Sequence, residues 1–588
     1  MMRSAKVRAL SACCLLAGCF TLFSARLVHL QVSQHDEYSA LAAEKHVNKQ
    51  IIYARRGLIQ DVNQETLAEN EPIVTVIADG SLVTDPAATA EVLAGPLEMD
   101  ERELAAKLQT DRRYVVLKRK LPATLVGPVT NRLRVRSLRG VYFEPDEARN
   151  YPNGAMLCHV IGFMNSEHDG VQGVESSMNE YLRGHDGFRL IEHDRTGKEI
   201  VLYRGQERPA HDGCNVRLTV DLNIQNIVET ELEDACSKYH PEKAIAILMR
   251  PGTGEILALA NRPHFDLNEI RSKSSEFLQQ HAEDMKNCAV IDMIEPGSTF
   301  KIVTASAALN EKNVQPKTLI FCENGHFNFA GRTLHDHHGY GELTVDDVLM
   351  KSSNIGAAKL ALRLGDQKFY EYIRRFGFGE RTGISLPGEI SGAIHPPHKW
   401  AKVDITRIAM GHSVGVTPLQ SACAMSAIAN GGKLMMPQIV HEIADNEGST
   451  IASFPPVEIR QVISEETARQ VRDALKNVVS DKGTAALAKV AGFTVAGKTG
   501  TAEKINPAGG YFSGKYVVSF IGFLPADKPE FVALIMLDDA KVSSELNYGG
   551  QIAGPIFARI AEKVARYLNL QPEPEVPPSN VIITQREH

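Results

Sequence analysis

Ala244-Ile245-Ala246-Ile247-Leu248-Met249, then Pro251-Gly252-Thr253-Gly254 and Glu255 to Ala260, is the stretch on which the fold turns. Six apolar residues without alternation read as a buried strand, the proline-glycine cluster as a hairpin turn, and the following residues as a returning strand. Upstream, Val216-Arg217-Leu218-Thr219-Val220 alternates as a strand, and Leu222 to about Lys238 has the apolar spacing of an amphipathic helix. A hairpin beside a helix, then a long helical stretch, then strands again after Phe493 predicts an α/β layer sandwich, an antiparallel sheet with helices packed on it.

The chain has 588 residues and is 43% hydrophobic, enough to bury more than one core. Its formal net charge is −7, from 64 Lys+Arg against 71 Asp+Glu. The two signs read as interspersed, so no nucleic-acid partner is expected. Nine cysteines are too few and too scattered for a disulfide framework, and no CxxC pair suggests zinc. A single bridge among Cys158, Cys214, Cys236, Cys288, Cys322 and Cys423 stays open.

Arg3, Lys6 and Arg8 precede an uncharged apolar run from Ala9 to Ala25, followed by Arg26 and then Leu27 to Val32. Residues 1–32 therefore read as a short cytoplasmic tip and an uncleaved membrane anchor, with everything beyond it outside. Leu16-Ala17-Gly18-Cys19 has the form of a lipoprotein processing site, but the apolar run continues past it through Phe20, Leu22 and Phe23. Both readings tether the protein to a membrane. Residues 33–210 read as a stalk, helical from Gln31 to about Lys49, and a non-catalytic pedestal of short alternating runs. Residues 211–568 read as the compact catalytic domain, and 569–588, rich in Pro and Glu, as a disordered tail.

Three motifs in the catalytic part carry chemistry. In Glu295-Pro296-Gly297-Ser298-Thr299-Phe300-Lys301 the proline and glycine mark a helix start, placing Ser298 at the positive end of the helix. Lys301 is one turn on, within reach of the serine hydroxyl, and can act as its base only when neutral, which costs about 4 kcal/mol in pKa terms. Alone this spacing is weak evidence. The second motif, Ser352-Ser353-Asn354, opens an apolar helix; its bland reading is a helix cap, its functional one a hydroxyl relay at Ser352 with Asn354 holding substrate and Lys301. The third, Lys498-Thr499-Gly500-Thr501-Ala502, continues the strand Phe493 to Ala496. Period-two geometry puts Thr499 and Thr501 on one face and Lys498 with Gly500 on the other. Glycine there implies a close approach to the backbone. Burial on the apolar helix and the second cation Lys498 together depress Lys301, Thr499 and Thr501 suit a substrate carboxylate, and the Ser298 and Thr501 amides suit an oxyanion hole.

Ser-x-x-Lys, Ser-x-Asn and Lys-Thr-Gly in this order resemble the signature of penicillin-binding proteins and serine β-lactamases. The resemblance covers almost the whole chain and is nearest to class B penicillin-binding proteins, particularly the division-specific transpeptidase. Arg56-Gly57-Leu58-Ile59-Gln60-Asp61, Tyr151-Pro152, His159-Val160-Ile161-Gly162, Gly173-Val174-Glu175 and Tyr181-Leu182-Arg183-Gly184 carry it in the pedestal. Leu386-Pro387-Gly388-Glu389, Val416-Thr417-Pro418-Leu419-Gln420 and Tyr548-Gly549-Gly550 carry it in the catalytic part. It implies a transpeptidase sandwich on an extended pedestal with one transmembrane helix. It also implies a Ser298 acyl-enzyme formed on D-Ala-D-Ala stem peptides or β-lactams, no cofactor, and a location on the outer face of the bacterial inner membrane. The partners it implies are a glycan polymerase of the SEDS type and divisome proteins.

Two positions depart from the pattern. The pedestal hairpin reads Asp61-Val62-Asn63-Gln64 where the family has a glycine last, so Asn63 is expected to take the left-handed conformation. His412 stands where the family more often has glutamine. The alternatives are an elongation-type transpeptidase, a β-lactam-hydrolysing or sensing relative, and an inactive envelope scaffold. His335-Asp336-His337-His338 is not expected to bind metal, because consecutive residues rarely converge on one ion.

Overall fold

The computed structural model describes residues 2–38, 47–165, 167–193, 199–202, 207–270, 273, 275–506, 509–542 and 547–573. The predicted hairpin forms: Lys243–Met249 pairs antiparallel with Ile256–Arg262, Ala246 opposite Ala260. It is one side of a five-stranded sheet, in the order Ile256–Arg262, Lys243–Met249, Phe531–Asp538, Tyr511–Leu524, Ala496–Ile505, with every pair antiparallel. Helices Leu222–Tyr239 and Gly549–Tyr567 pack on each other and on the sheet, and helix Pro418–Ala429 also packs on it. That last helix is apolar nearly all round and buried at every position, as a helix enclosed by other elements must be.

A second sheet joins the pedestal to the catalytic part. Ile59–Gln60 runs parallel to Asn215–Leu218, with Ile59 opposite Val216, and the sheet continues into Thr66–Ala78 on one side and Val440–Ala444 on the other. Residues 57–182 and 214–588 accordingly form one compact unit. Within it the pedestal has a small core of its own, including Val76, Leu93, Leu104, Leu117 and Leu133. Residues 1–56 and 183–213 make up the other unit. It contains helix Met2–Val28, continued by a π-helical turn His29–Ser33; Val7–Ser33 is long and apolar enough to cross a membrane.

Three expectations are corrected. The stalk helix read to about Lys49 gives way to a strand, Val47–Ile52, paired with Gly187–His193, because the β-branched Val47, Ile51 and Ile52 find a partner strand there; residues 39–46 lie outside those described. The segment read as a disordered tail begins docked: Glu573 N donates to Gly492 O at 2.8 Å, and its carboxylate accepts from Thr494 N at 3.1 Å. Residues 574–588 lie outside those described. In the pedestal hairpin it is Gln64, not Asn63, that is left-handed, with φ 69°. The Asn63 side chain is spent on Asp61 and Asp221, at 3.4 and 3.1 Å, while Asp61 Oδ1 holds the turn by accepting from Asn63 N and Glu65 N, both at 2.8 Å. All nine cysteines are among the described residues, and none is in a disulfide.

One buried ion pair secures the pedestal. Arg149 Nε donates to Glu175 Oε1 at 2.7 Å with both side chains fully enclosed, and Arg149 Nη1 reaches Asn70 Oδ1 at 3.1 Å. Deleting one partner leaves the other charge buried without its counter-ion, which typically costs about 3–5 kcal/mol. Glu175→Ala should therefore lower the thermal midpoint of the full chain by several degrees, and Glu175→Gln by less, as read by calorimetry; an unchanged midpoint would contradict this account.

Candidate active site

The nucleophile motif is a 3₁₀ turn, Gly297–Phe300, leading into the α-helix Lys301–Asn310. The sequence reading placed Ser298 at the helix start; the structure puts it in the tighter turn just before. Three residues per turn bring positions i and i+3 to the same side of the chain, so Ser298 and Lys301 share one face. The turn is fixed by Gly297, at φ 54°, whose N–H donates to Gly411 O at 3.1 Å, and by Thr299 Oγ1 donating to Pro296 O at 2.8 Å. Ser298 is half-buried and accessible, whereas Lys301 is enclosed.

Lys301 Nζ meets three acceptors from the second motif: Ser352 O at 2.5 Å, Asn354 Oδ1 at 2.7 Å and Ser352 Oγ at 3.2 Å. Lys498, fully buried, donates to the same Ser352 Oγ at 2.9 Å. One hydroxyl thus bridges two lysines that are 197 positions apart in the sequence. The capping and functional readings of Ser352-Ser353-Asn354 both hold, on different residues. Ser353 is the cap, its Oγ accepting from Gly356 N at 2.9 Å, while Ser352, at φ 58°, is turned toward the lysines. A non-glycine residue in that region is uncommon and strained.

Burial lowers the Lys301 pKa to about 7, opposed by the nearby Asp336 charge. Burial also holds Lys498 well below its ordinary value, and repulsion from Lys301 adds to the effect. Of the two expected causes, burial is the leading one for both lysines, and repulsion between the two charges acts on the pair in the same direction.

Asp336 is the residue that sequence reasoning missed. Its Oδ2 accepts from Ser353 Oγ at 2.6 Å, and its Oδ1 accepts from Asn354 N and from Ile355 N, the latter at 3.1 Å; Asn354 Nδ2 donates to His335 O at 2.9 Å. A carboxylate at the start of helix Asn354–Leu364 satisfies donors that the helix leaves open and fixes the cap Ser353 and the functional Asn354. The four residues from His335 to His338 do not converge on one point. His335 Nδ1 meets His326 Nδ1 at 2.9 Å across a hairpin, Asp336 turns to the helix, and His337 lies edge-on to Tyr548. The available signal was the acid itself, 16 residues before Ser352, but nothing local tied it to that loop. Asp336→Asn replaces an acceptor oxygen by a donor facing backbone N–H groups. It should slow acylation by a β-lactam about 10-fold while the chain stays folded, as measured by stopped-flow acylation and circular dichroism.

The third motif lies on the outer strand Ala496–Ile505, with Lys498 and Gly500 toward the nucleophile turn as predicted. A Cβ on Gly500 would lie 2.3 Å from Ser519 Oγ, 3.0 Å from Thr299 Cγ2 and 3.3 Å from Pro296 O. Only glycine lets strand and turn approach this closely. Thr499 and Thr501 share the other face. Thr499 Oγ1 meets Thr484 Oγ1 at 3.1 Å, and Thr501 Oγ1 accepts from Gly549 N, the first residue of helix Gly549–Tyr567, at 3.2 Å. The start of that 19-residue helix is the second feature the motifs did not disclose; the positive end of its dipole favours an anion beside the two threonines.

A helix-covered antiparallel sheet, with an accessible serine beside two buried lysines bridged by a second serine, is the arrangement of a serine acyl-transfer enzyme. Residues 244–562 match the penicillin binding protein transpeptidase domain, and residues 51–218 the penicillin-binding protein dimerisation domain. Stage V sporulation protein D of Bacillus subtilis is 36% identical over 556 residues, spanning 94% of this chain and 84% of that protein. Peptidoglycan D,D-transpeptidase FtsI of Escherichia coli K12 is 30% identical over 572 residues, spanning 95% and 92%. The crystal structure of a peptidoglycan synthetase from Bifidobacterium adolescentis superposes with a TM-score of 0.70 at 27% identity, covering 90% of this chain and 98% of that one. The chain belongs to the penicillin-binding protein transpeptidase family.

Proposed function

We propose that this protein is a peptidoglycan D,D-transpeptidase that cross-links stem peptides through a Ser298 acyl-enzyme. The observation that carries the reading is the Lys301–Ser352–Lys498 bridge beside an accessible Ser298. A neutral Lys301 amine has two N–H donors and one lone pair. Ser352 O and Asn354 Oδ1 can take the donors, leaving the lone pair to accept a proton.

Ser298 Oγ attacks the carbonyl carbon of the penultimate D-alanine and passes its proton to Lys301 Nζ. The carbonyl oxygen becomes an oxyanion held by the Ser298 and Thr501 amides. The proton then travels through Ser352 Oγ to the leaving amine, the peptide C–N bond breaks, and terminal D-alanine departs. The amine of a neighbouring stem attacks the ester carbon and gives its proton to Lys301, which returns one to Ser298 as the C–O bond breaks. Thr499 and Thr501, beside the Gly549–Tyr567 helix start, receive the terminal carboxylate, and Gly500 lets the nucleophile turn close on the strand. A β-lactam enters the same path at its amide carbonyl.

The domain division is proposed as a membrane anchor within 1–32, a pedestal within 33–210 and a transpeptidase domain within 211–568. The helix Met2–Val28 fits a single-pass anchor. Its flanking Arg3, Lys6 and Arg8 favour the N-terminus inside and the catalytic part outside. Septal synthesis alongside a SEDS-type glycan polymerase and divisome proteins is the favoured cellular role, supported by the FtsI relative. Depletion in the native bacterium should then give undivided filaments, whereas rounded cells would favour elongation. The biochemical test supplies the full-length protein with a pentapeptide-bearing donor strand and an amine acceptor. Release of D-alanine together with cross-linked product supports transfer; hydrolysis products alone would overturn it.

A further inference from the structure

The outer hairpin is longer than the sheet that holds it. Residues 517–523 of strand Tyr511–Leu524 pair with Phe531–Asp538 on one side and with the Lys498 strand on the other, the last pairing to Phe531–Asp538 being Val517 with Asp538. Beyond that point the chain is a two-stranded ribbon, in which Glu503 pairs with Tyr516 and Ile505 with Tyr511. A two-stranded ribbon is at best marginally stable without anchors. One side is tied by charge: Lys504 bonds Asp538 at 2.8 Å and also Glu242, while Lys515 bonds Glu242 at 2.7 Å and Asp539 at 2.8 Å.

The other anchor reaches the nucleophile turn. Glu295, three residues before Ser298, accepts from Tyr511 Oη at 3.0 and 3.3 Å, from Ser413 N at 2.8 Å, and is 2.8 Å from His412 Nδ1. Its side chain is only 8% exposed and touches neither lysine, so the proton-transfer route in the proposed mechanism does not use it. Its carboxyl is held below the ordinary range: burial raises it, but His412, Ser413 and Tyr511 outweigh that, so it stays ionised and able to accept all three bonds. Arg407 and Glu503 are the further charged groups near Tyr511.

We infer that Glu295 is a positioning residue that latches the free end of the hairpin to the nucleophile turn through Tyr511, with His412 and Ser413 orienting its carboxylate. Lys498 to Thr501 lie within the paired part of the sheet and do not depend on the latch. What depends on it is the exposed apolar end of the ribbon, Ile505 and Tyr511, held to the segment that carries Ser298, which a peptide donor with its acceptor strand would use and a small β-lactam would not. The inference rests on the proposed transpeptidase reading.

The test compares full-length wild type with Tyr511→Phe, Glu295→Gln and the double variant. It reads acylation by benzylpenicillin, transfer of a peptide donor, and hydrogen exchange over residues 502–506 and 509–516. Tyr511→Phe should slow peptide transfer about 10-fold, the worth of one hydrogen bond to a charged acceptor. Penicillin acylation should stay within about 2-fold and the thermal midpoint should not move, while exchange in the ribbon rises. The double variant should be no worse than Glu295→Gln alone, since both remove one interaction. His412→Gln, which keeps a donor, should retain transfer that His412→Ala loses. Equal slowing of acylation and transfer, or additive losses in the double variant, would overturn the latch. Absence of any penicillin adduct on the wild type would instead overturn the enzyme reading beneath it.

Discussion

Ser298→Ala should form no covalent adduct with a labelled penicillin and should lose peptide transfer, a fall on the order of 10⁶ where a serine nucleophile is removed. The hydroxyl is half-exposed and is not among the acceptors that hold Lys301, so its removal disturbs no contact on which the fold depends. Thermal stability and the circular dichroism spectrum should therefore match the wild type, which separates loss of the nucleophile from loss of structure. Intact-mass spectrometry is the direct readout. An adduct that persists in the variant, mapped to any other residue, would remove Ser298 from the centre of the mechanism.

Lys301→Arg should be nearly as damaging. General-base catalysis typically contributes about 10²- to 10⁴-fold, and a guanidinium cannot give up its proton in a protein. It is also too large for a pocket in which one ammonium-sized atom meets three oxygens at 2.5 to 3.2 Å. The wild type supplies the companion result. Lys301 is drawn down to about 7 by burial, so its neutral, proton-accepting form prevails above that pH and disappears below it. Penicillin acylation should be level in mildly alkaline buffer and fall about tenfold per unit of pH as the medium is taken below about 7. In the arginine variant this step should vanish along with the rate. A wild-type profile flat through neutrality would mean that Lys301 is not the base.

Much of this was legible before any tertiary contact was known. The strand-turn-strand at Ala244 to Ala260 was readable because an unbroken apolar run bounded by proline and glycine has few other outcomes. Gly500 was readable because a glycine inside a strand lowers its stability unless something must come close, and Thr299 and Pro296 do. The Lys498 side of that strand followed from period two alone. The readings that failed were those in which one local signal had two outlets. Val47 to Lys49 continued a helical pattern until Gly187–His193 offered a strand partner. Asn63 was the better left-handed residue by type, yet its side chain was drawn to Asp61 and Asp221 and the conformation passed to Gln64.

The sequence by itself determined which groups are present and on which elements: a serine and lysine one turn apart, a Ser-x-Asn loop opening a helix, and a lysine strand with a glycine gap. Side-chain periodicity and turn preferences are short-range, and they are written in the order of residues. Only the tertiary structure decided how the groups divide their work. It assigned the cap to Ser353 and the bridge to Ser352, brought in Asp336 to hold Ser353 and Asn354, and set the Gly549–Tyr567 helix start beside Thr501. It also enclosed Lys301 completely, so that the expected burial became the leading cause of its lowered pKa. Each of these depends on desolvation, or on contacts between residues 17 to 146 positions apart, and the free energy of either is defined only once the core has closed around them.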